Sequence, residues 1–332
     1  MKLDLRIPDI ATESASGNRT GYANFALSMR RALQQQGVEF TEAADTILYL
    51  GPPHLMPATE PGKTLIANTM WEVHPVPKDI IASLNRADVL VAPSQYCASL
   101  FRRNGVRSPI HVVPLGLDPN DWPTAPRVHR AGEPLRFLWV NARAERKGWT
   151  FLGKAWAEAF VTRSPMTLTI KTSVDPGEDV PPDMYNSLVR VRTIARRLSW
   201  EELRDLYCTH HVFLCTSTAE GFGLSPMEAM ACGLLVISPR HTGLAEYINK
   251  GVAWVCETDR VGMRYEEDPD LKVTTLAPKI SHLRALIRRA VVEFDATEAM
   301  RVNAMAHAKT FTWQRSAEGL VAALARRQAV AV

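Results

Sequence analysis

The chain has 332 residues, of which 46% are hydrophobic and 22% charged, with a formal net charge of +4. That composition supplies apolar material for two cores and excludes a disordered chain, while the mild positive balance suits phosphate-bearing ligands or an anionic surface and falls short of the concentrated basic stripe of a dedicated nucleic-acid binder. Cys97, Cys208, Cys215, Cys232 and Cys256 form no C-x-x-C pair, the first residues carry charge inside their apolar pattern, and no apolar run approaches a membrane span, so a reducing, cytoplasmic setting is expected.

Taken along the chain, "NFALSMRRALQQQGV" (24–38) has apolar residues at helical spacing, with Gly37 where a helix should stop. "TILYLG" (46–51), "TLIAN" (64–68) and "VLVAPS" (89–94) read as buried strands ending in turn residues. "GLDPNDWPTAPRVHRAGEP" (116–134) is rich in Pro, Gly and Asp and reads as a linker. A second alternating series follows: "LRFLWVN" (135–141), "MTLTIKTS" (166–173), "LVRVRTI" (188–194), "HVFLCTS" (211–217) and "LLVIS" (234–238). Ser199 and Glu202 make a capping box at a helix start. The stretch 257–280 reads as long and irregular, with no role assigned. Strand and helix in alternation predict two α/β domains with parallel sheets, with ligands bound beyond the carboxyl ends of the strands.

The densest chemistry lies in "TAEGFGLSPMEAMACG" (218–233). It should form a glycine turn between a buried strand and a helix that begins near Pro226 and stops at Gly233. Gly221 and Gly223 let backbone approach a ligand, and a helix N-terminus there would face an anion. Two readings stand open for each acid. Glu228 is either the acid of a Ser225–Glu228 capping box or a ligand contact; Glu220 is either a solvated loop acid or a group entering the site.

Glu220 and Glu228, eight apart, resemble the E-x7-E signature of the family 4 retaining glycosyltransferases, the glycosyl transferases group 1. "GLLVISPRHTGLAEYI" (233–248), "HVVPLGLDP" (111–119), "RKGW" (146–149), "FTWQRSAEGLVAAL" (311–324) and "TMWEVHPVPKDIIASLNRADVLVAPS" (69–94) resemble further family segments, in the expected order over nearly the whole chain. The resemblance implies the GT-B fold: an N-terminal Rossmann-like acceptor domain (1–118), a linker (119–134), a C-terminal Rossmann-like nucleotide-sugar domain (135–309) and a return helix (310–332) packed on the first domain. It implies a retaining, metal-independent transfer from a UDP- or GDP-sugar co-substrate to a hydroxyl acceptor, with no cofactor.

Bond cleavage at the anomeric carbon builds negative charge on the leaving diphosphate, so fixed cations and N–H donors are needed there. By resemblance, Lys147 and Arg143 clamp the diphosphate, although the arginine falls one place late against the family pattern and Arg146 could replace it. Glu220 faces the transferred sugar, and Glu228 accepts from the ribose hydroxyls. Thr216 and the amides of Gly221, Phe222, Gly223 and Leu224 hold sugar and phosphate. Lys171 and Arg190–Thr193 lie where the family contacts the nucleotide. In the first domain, Gly17 and Gly21 open the family's glycine loop, with Tyr22 where a second adjacent glycine is usual. Glu72 and His74 fall on the acceptor side, and Ser94, also placed there, reads either as a helix cap or as a residue lining the cleft. From the residues alone, Lys147 and Arg143 also read as surface cations and His74 as a loop histidine before Pro75.

His210 and His211 read as packing groups rather than metal ligands. "PATEPGKT" (57–64) lacks the first P-loop glycine, because Pro57 occupies its place, and "GFGLSP" lacks the third glycine of a dinucleotide fingerprint. Two rivals remain on the residues: a non-catalytic GT-B-like sugar-binding or partner subunit, and an enzyme whose acceptor is nucleic acid or sits on a membrane face, served by the Arg-Arg pairs at 30–31, 102–103, 196–197, 288–289 and 326–327. Solvated helix faces explain those pairs more simply.

Overall fold

A computed structural model describes residues 1–8, 21–130, 132–142, 144–160, 165–172, 190–265 and 268–330. The chain divides into two units, Met1–Asp118 with Phe311–Val332, and Pro119–Thr310.

In the first unit, β1 (Lys2–Arg6), β2 (Glu39–Phe40), β3 (Thr46–Leu50), β4 (Thr64–Asn68), β5 (Val89–Ala92) and β6 (Ile110–Val112) form one sheet in the order β2-β1-β3-β4-β5-β6. Every ladder is parallel. The Ile47–Leu50 and Val89–Ala92 runs are wholly buried, as expected for parallel strands covered on both faces. Helices α1 (Gly21–Gln35), α2 (Lys78–Leu84) and α3 (Gln95–Arg103) belong to this unit. Helix α1 ends two residues before Gly37, whose φ of 76° lets the chain reverse into β2.

The second unit holds β7 (Arg136–Val140), α4 (Trp149–Ala159), β8 (Thr167–Lys171), β9 (Arg190–Ile194), α5 (Trp200–Cys208), β10 (Val212–Leu214), α6 (Leu224–Ala231), β11 (Leu235–Pro239) and β12 (Trp254–Cys256). Its sheet runs β12-β11-β10-β7-β8-β9, again parallel throughout. Phe137, Trp139, Trp156, Leu168, Leu214 and Ile287 anchor its core. The Ser199–Glu202 capping box forms in both directions: Ser199 Oγ accepts from Glu202 N–H at 3.1 Å, and Ser199 N–H donates to Glu202 Oε2 at 2.8 Å.

Helices α7 (Ile280–Glu293) and α8 (Glu298–Ala308) complete the second unit, and α9 (Trp313–Val330) returns to the first. Trp313 N–H donates to Leu117 O at 3.2 Å, Ser316 Oγ donates to Pro114 O at 2.6 Å, and the Trp313 ring lies 6.5 Å from that of Phe25 on α1. Gly116 permits this return, because a Cβ there would stand 2.1 Å from the Thr312 carbonyl carbon.

From Pro119 onward, the stretch read as a linker belongs to the second unit. Trp122 is buried, edge-on to Trp200 at 5.2 Å and to Tyr207 at 6.2 Å. Residues 257–280, irregular by sequence, contain an antiparallel hairpin of β13 (Thr258–Tyr265) and β14 (Asp268–Pro278). Met263, Tyr265, Val273, Thr275 and Ala277 make its buried face at period two.

Candidate functional site

Three adjacent strands of the second sheet, β7, β10 and β11, deliver the site at their carboxyl ends. After β7, a 3-10 turn over Glu145–Lys147 closes on Gly148, whose φ is 70°. A Cβ at Gly148 would lie 1.9 Å from the Thr216 carbonyl oxygen, so only glycine lets this turn meet the end of β10. Thr216 Oγ1 donates to Lys147 O at 3.0 Å and accepts from the Trp139 indole at 3.0 Å. Thr218 N–H donates to Arg146 O at 2.8 Å. On the other side, Gly243 N–H donates to Glu220 O at 2.8 Å, and a Cβ on Gly243 would stand 2.3 Å from Gly221 O. The 216–221 segment is thereby held by backbone on both flanks.

This frame brings two of the expected residues into direct contact. Lys147 Nζ donates to Glu220 Oε1 at 2.7 Å, with the two side chains 17% and 8% exposed. Arg146, the alternative arginine, is buried: Nη1 donates to Ala219 O at 3.0 Å and lies 3.8 Å from Glu220 Oε2. Burial pushes the Glu220 carboxyl upward, but Lys147 and Arg146 together outweigh it and hold the group below its ordinary value. Glu220 is thus an ionised, buried acid and not a solvated loop residue. Arg143 lies outside the described residues, as does Gly17.

Helix α6 starts at Leu224, and its N-cap is Gly223 at φ 91°. The Ser225–Glu228 capping box is not formed, because the helix begins before Ser225 and places Glu228 in its second turn. Glu228 is 5% exposed and accepts a hydrogen bond from Tyr207 Oη at 2.8 Å. Burial raises its pKa to about 7, against the lowering effect of the Tyr207 hydroxyl. Phe222 is buried with its ring 5.5 Å from that of Tyr247, whose hydroxyl donates to Gly223 O.

Lys171, at the end of β8, donates from Nζ to Thr172 O at 2.7 Å; burial and then the Arg196 charge lower its pKa. Arg190–Thr193 lie on β9, at the edge of the sheet, with Thr193 paired to Ile170. His210 packs as expected, its Nε2 2.8 Å from Thr169 Oγ1 and its Nδ1 2.6 Å from Leu206 O, and burial lowers its pKa to about 4. His211 is likewise buried, with Nδ1 accepting from Arg136 N–H at 3.0 Å.

The first unit carries the remaining candidates. Gly21 opens α1, with no described residue within 4 Å of where its Cβ would stand, and Tyr22 Oη donates to Met70 O at 3.1 Å. Glu72 is half-buried, and its carbonyl accepts from Tyr96 Oη at 2.8 Å. His74 is exposed. Ser94 is buried and caps α3, accepting from Cys97 N–H at 3.2 Å.

Sequence reasoning does not single out Thr242, His241 or Tyr207. Thr242 Oγ1 accepts from Glu220 N–H at 3.0 Å, from a left-handed backbone at φ 47°. His241 is buried beside it, Nδ1 3.1 Å from Thr242 Oγ1, and burial lowers its pKa to about 4. Both lie in "GLLVISPRHTGLAEYI", which is legible as a family segment but points to no individual residue.

Residues 191–263 match the model of glycosyl transferases group 1. D-inositol 3-phosphate glycosyltransferase of Rhodococcus opacus is 29% identical over 268 residues, covering 77% of this chain and 52% of the relative. Alpha-maltose-1-phosphate synthase of Mycobacterium tuberculosis is 28% identical over 160 residues, 43% of this chain and 40% of the relative. The chain therefore spans about half the length, or less, of these curated relatives. Among solved structures, Anabaena HepE in complex with UDP superposes with a TM-score of 0.67 at 15% identity, over 98% of this chain and 100% of that one. A Thermosynechococcus elongatus sucrose-phosphate synthase gives 0.66 at 17% identity, over 94% and 79%.

Proposed function

The chain carries the sequence signature of the group 1 glycosyltransferases on a GT-B fold, and from that premise we propose that it transfers a sugar, with retention, from a nucleoside-diphosphate sugar to a hydroxyl acceptor. The observation that carries this is the Lys147–Glu220 contact on a backbone-tight turn, with Glu228 eight residues on in α6. In this arrangement Lys147 neutralises Glu220. A donor diphosphate offers Lys147 a second anion and frees one Glu220 oxygen for a sugar hydroxyl. Arg146 and the first amides of α6 add fixed positive potential where the leaving diphosphate gains charge. Glu228, on the same helix, accepts from the ribose. With cations supplied by the chain itself, the reading requires no metal.

Anabaena HepE has been solved with UDP-glucose, so UDP-sugars are the first donors to try and GDP-sugars the second. Retention follows from the family resemblance, and the acceptor side falls to Tyr22, Glu72, His74 and Ser94. A thermal-shift screen over nucleotide sugars, in the presence of a chelator, tests the donor reading, since a bound donor raises stability by mass action. One nucleotide series should raise the melting temperature, and hydrolysis of that donor separates an enzyme from a non-catalytic binding subunit. No shift with any nucleotide sugar would overturn the proposal. NMR of the product anomer then tests retention.

A further inference from the structure

Two of the five cysteines meet in space. Cys208 closes α5 and is half-buried, whereas Cys232 follows α6 and is 1% exposed; their Sγ atoms lie 2.9 Å apart. Both are free thiols, and Cys97, Cys215 and Cys256 are buried. We propose that Cys208 and Cys232 are a dithiol modification site, which a hydroperoxide converts to an intrachain disulfide that closes residues 208–232 into a loop around Glu220 and Glu228.

The two thiols are not equivalent. Cys208 is the one that solvent reaches. The hydrogen bond with Cys232 lowers its pKa, burial opposes this, and the Arg204 charge favours the thiolate. Cys232 is raised by the same contact and by burial. Cys208 is therefore the attacking sulfur and Cys232 the resolving one. The Cys208 thiolate attacks a peroxide oxygen and the O–O bond breaks. The departing oxygen takes a proton and leaves as water, or as an alcohol from an organic hydroperoxide. Cys208 is left as a sulfenic acid. Cys232 sulfur then attacks Cys208 sulfur, its own proton leaves, the S–O bond breaks, and a second oxygen departs as water. Two electrons pass from the two thiols to one peroxide. A disulfide bond is about 2.0 Å long, so closure moves the sulfurs together by less than about 1 Å.

The placement gives the bond its consequence. The 208–232 segment contains β10, the 216–223 turn and α6. Tyr207, next to Cys208, holds Glu228. A cross-link between the ends of that segment removes freedom from the unfolded chain and so stabilises the part of the second unit that bears both acids. This inference stands on the thiol geometry and does not depend on the glycosyl-transfer reading.

The full chain is treated with stoichiometric hydrogen peroxide and compared with a dithiothreitol-reduced sample. The expected result is a loss of two hydrogens in intact mass, a digest fragment joining Cys208 to Cys232, and a melting temperature higher by about 5–10 °C, reversed by dithiothreitol. Cys208→Ser, at a half-buried helix end, should fold, show no cross-link and lose the shift. Cys232→Ser is buried, so its sulfenic acid at Cys208 is read by a dimedone label whatever its stability. Oxygen added at wild-type Cys208 without a cross-link, a disulfide between molecules, or a cross-link with an unchanged melting temperature would each overturn the proposal.

Discussion

Replacing Glu228 by glutamine tests whether its carboxyl is a buried, titrating group held for a ligand. The acid is 5% exposed, and burial raises its pKa from the ordinary 4.5 to about 7. An acid whose folded pKa exceeds its unfolded one favours the native state fully below the unfolded value. That contribution is lost as pH rises through the folded value. Between pH 4.5 and 7 the wild type should therefore lose stability at about 1.4 kcal/mol per pH unit from this group, or about 3 kcal/mol in all. Glu228→Gln keeps an acceptor for Tyr207 and removes the titration. Urea denaturation of both proteins from pH 4.5 to 8 gives the difference. The variant should gain on the wild type through that window and hold a constant lead above it. Nucleotide affinity should move the other way: a ribose hydroxyl donates best to the ionised carboxylate, so wild-type binding weakens below pH 7 while the variant stays flat. A stability difference that does not change across the window would refute the reasoning.

Lys147→Ala should cut turnover by roughly two to three orders of magnitude, as for loss of one preorganised donor to a developing anion, and steady-state rates check it. The same change leaves Glu220 buried without its closest cation, so its pKa should rise, read by carboxyl NMR. Gly148→Ala forces a Cβ to within 1.9 Å of Thr216 O at a left-handed φ; a loss of at least about 2 kcal/mol in a denaturant melt is expected, whereas Gly21→Ala, with none of the described residues within 4 Å of its Cβ position, should melt like the wild type. Truncation after Thr310 removes buried Ala317, Leu320, Ala323 and Leu324 and should lower the melting temperature of the first unit and expose apolar surface to a dye.

Much of the fold is legible in the chain. Apolar runs such as "TILYL" and "VLVA" are readable because a parallel strand buried on both faces needs no polar alternation. The site segment is readable because glycine at 223 and acids at 220 and 228 answer to backbone geometry and charge that few other residues supply. What escapes is set by tertiary contact. Glu228 fits a local cap by spacing, yet α6 starts one residue before Ser225 because Gly223 takes the left-handed N-cap. Thr242 holds a positive φ without being glycine, so no punctuation marks it. Residues 257–280 alternate at period two, but charges and Pro269 interrupt the run, and it reads as irregular. The Cys208–Cys232 approach depends on two helix ends that sequence spacing cannot place together.

The most direct test is a crystal structure of the second unit's site in the full chain with UDP bound. The diphosphate should lie against Lys147 and the first amides of α6, with a ribose hydroxyl within hydrogen-bond distance of Glu228. UDP bound elsewhere, with Lys147 still paired to Glu220 and Glu228 touching only Tyr207, would contradict it.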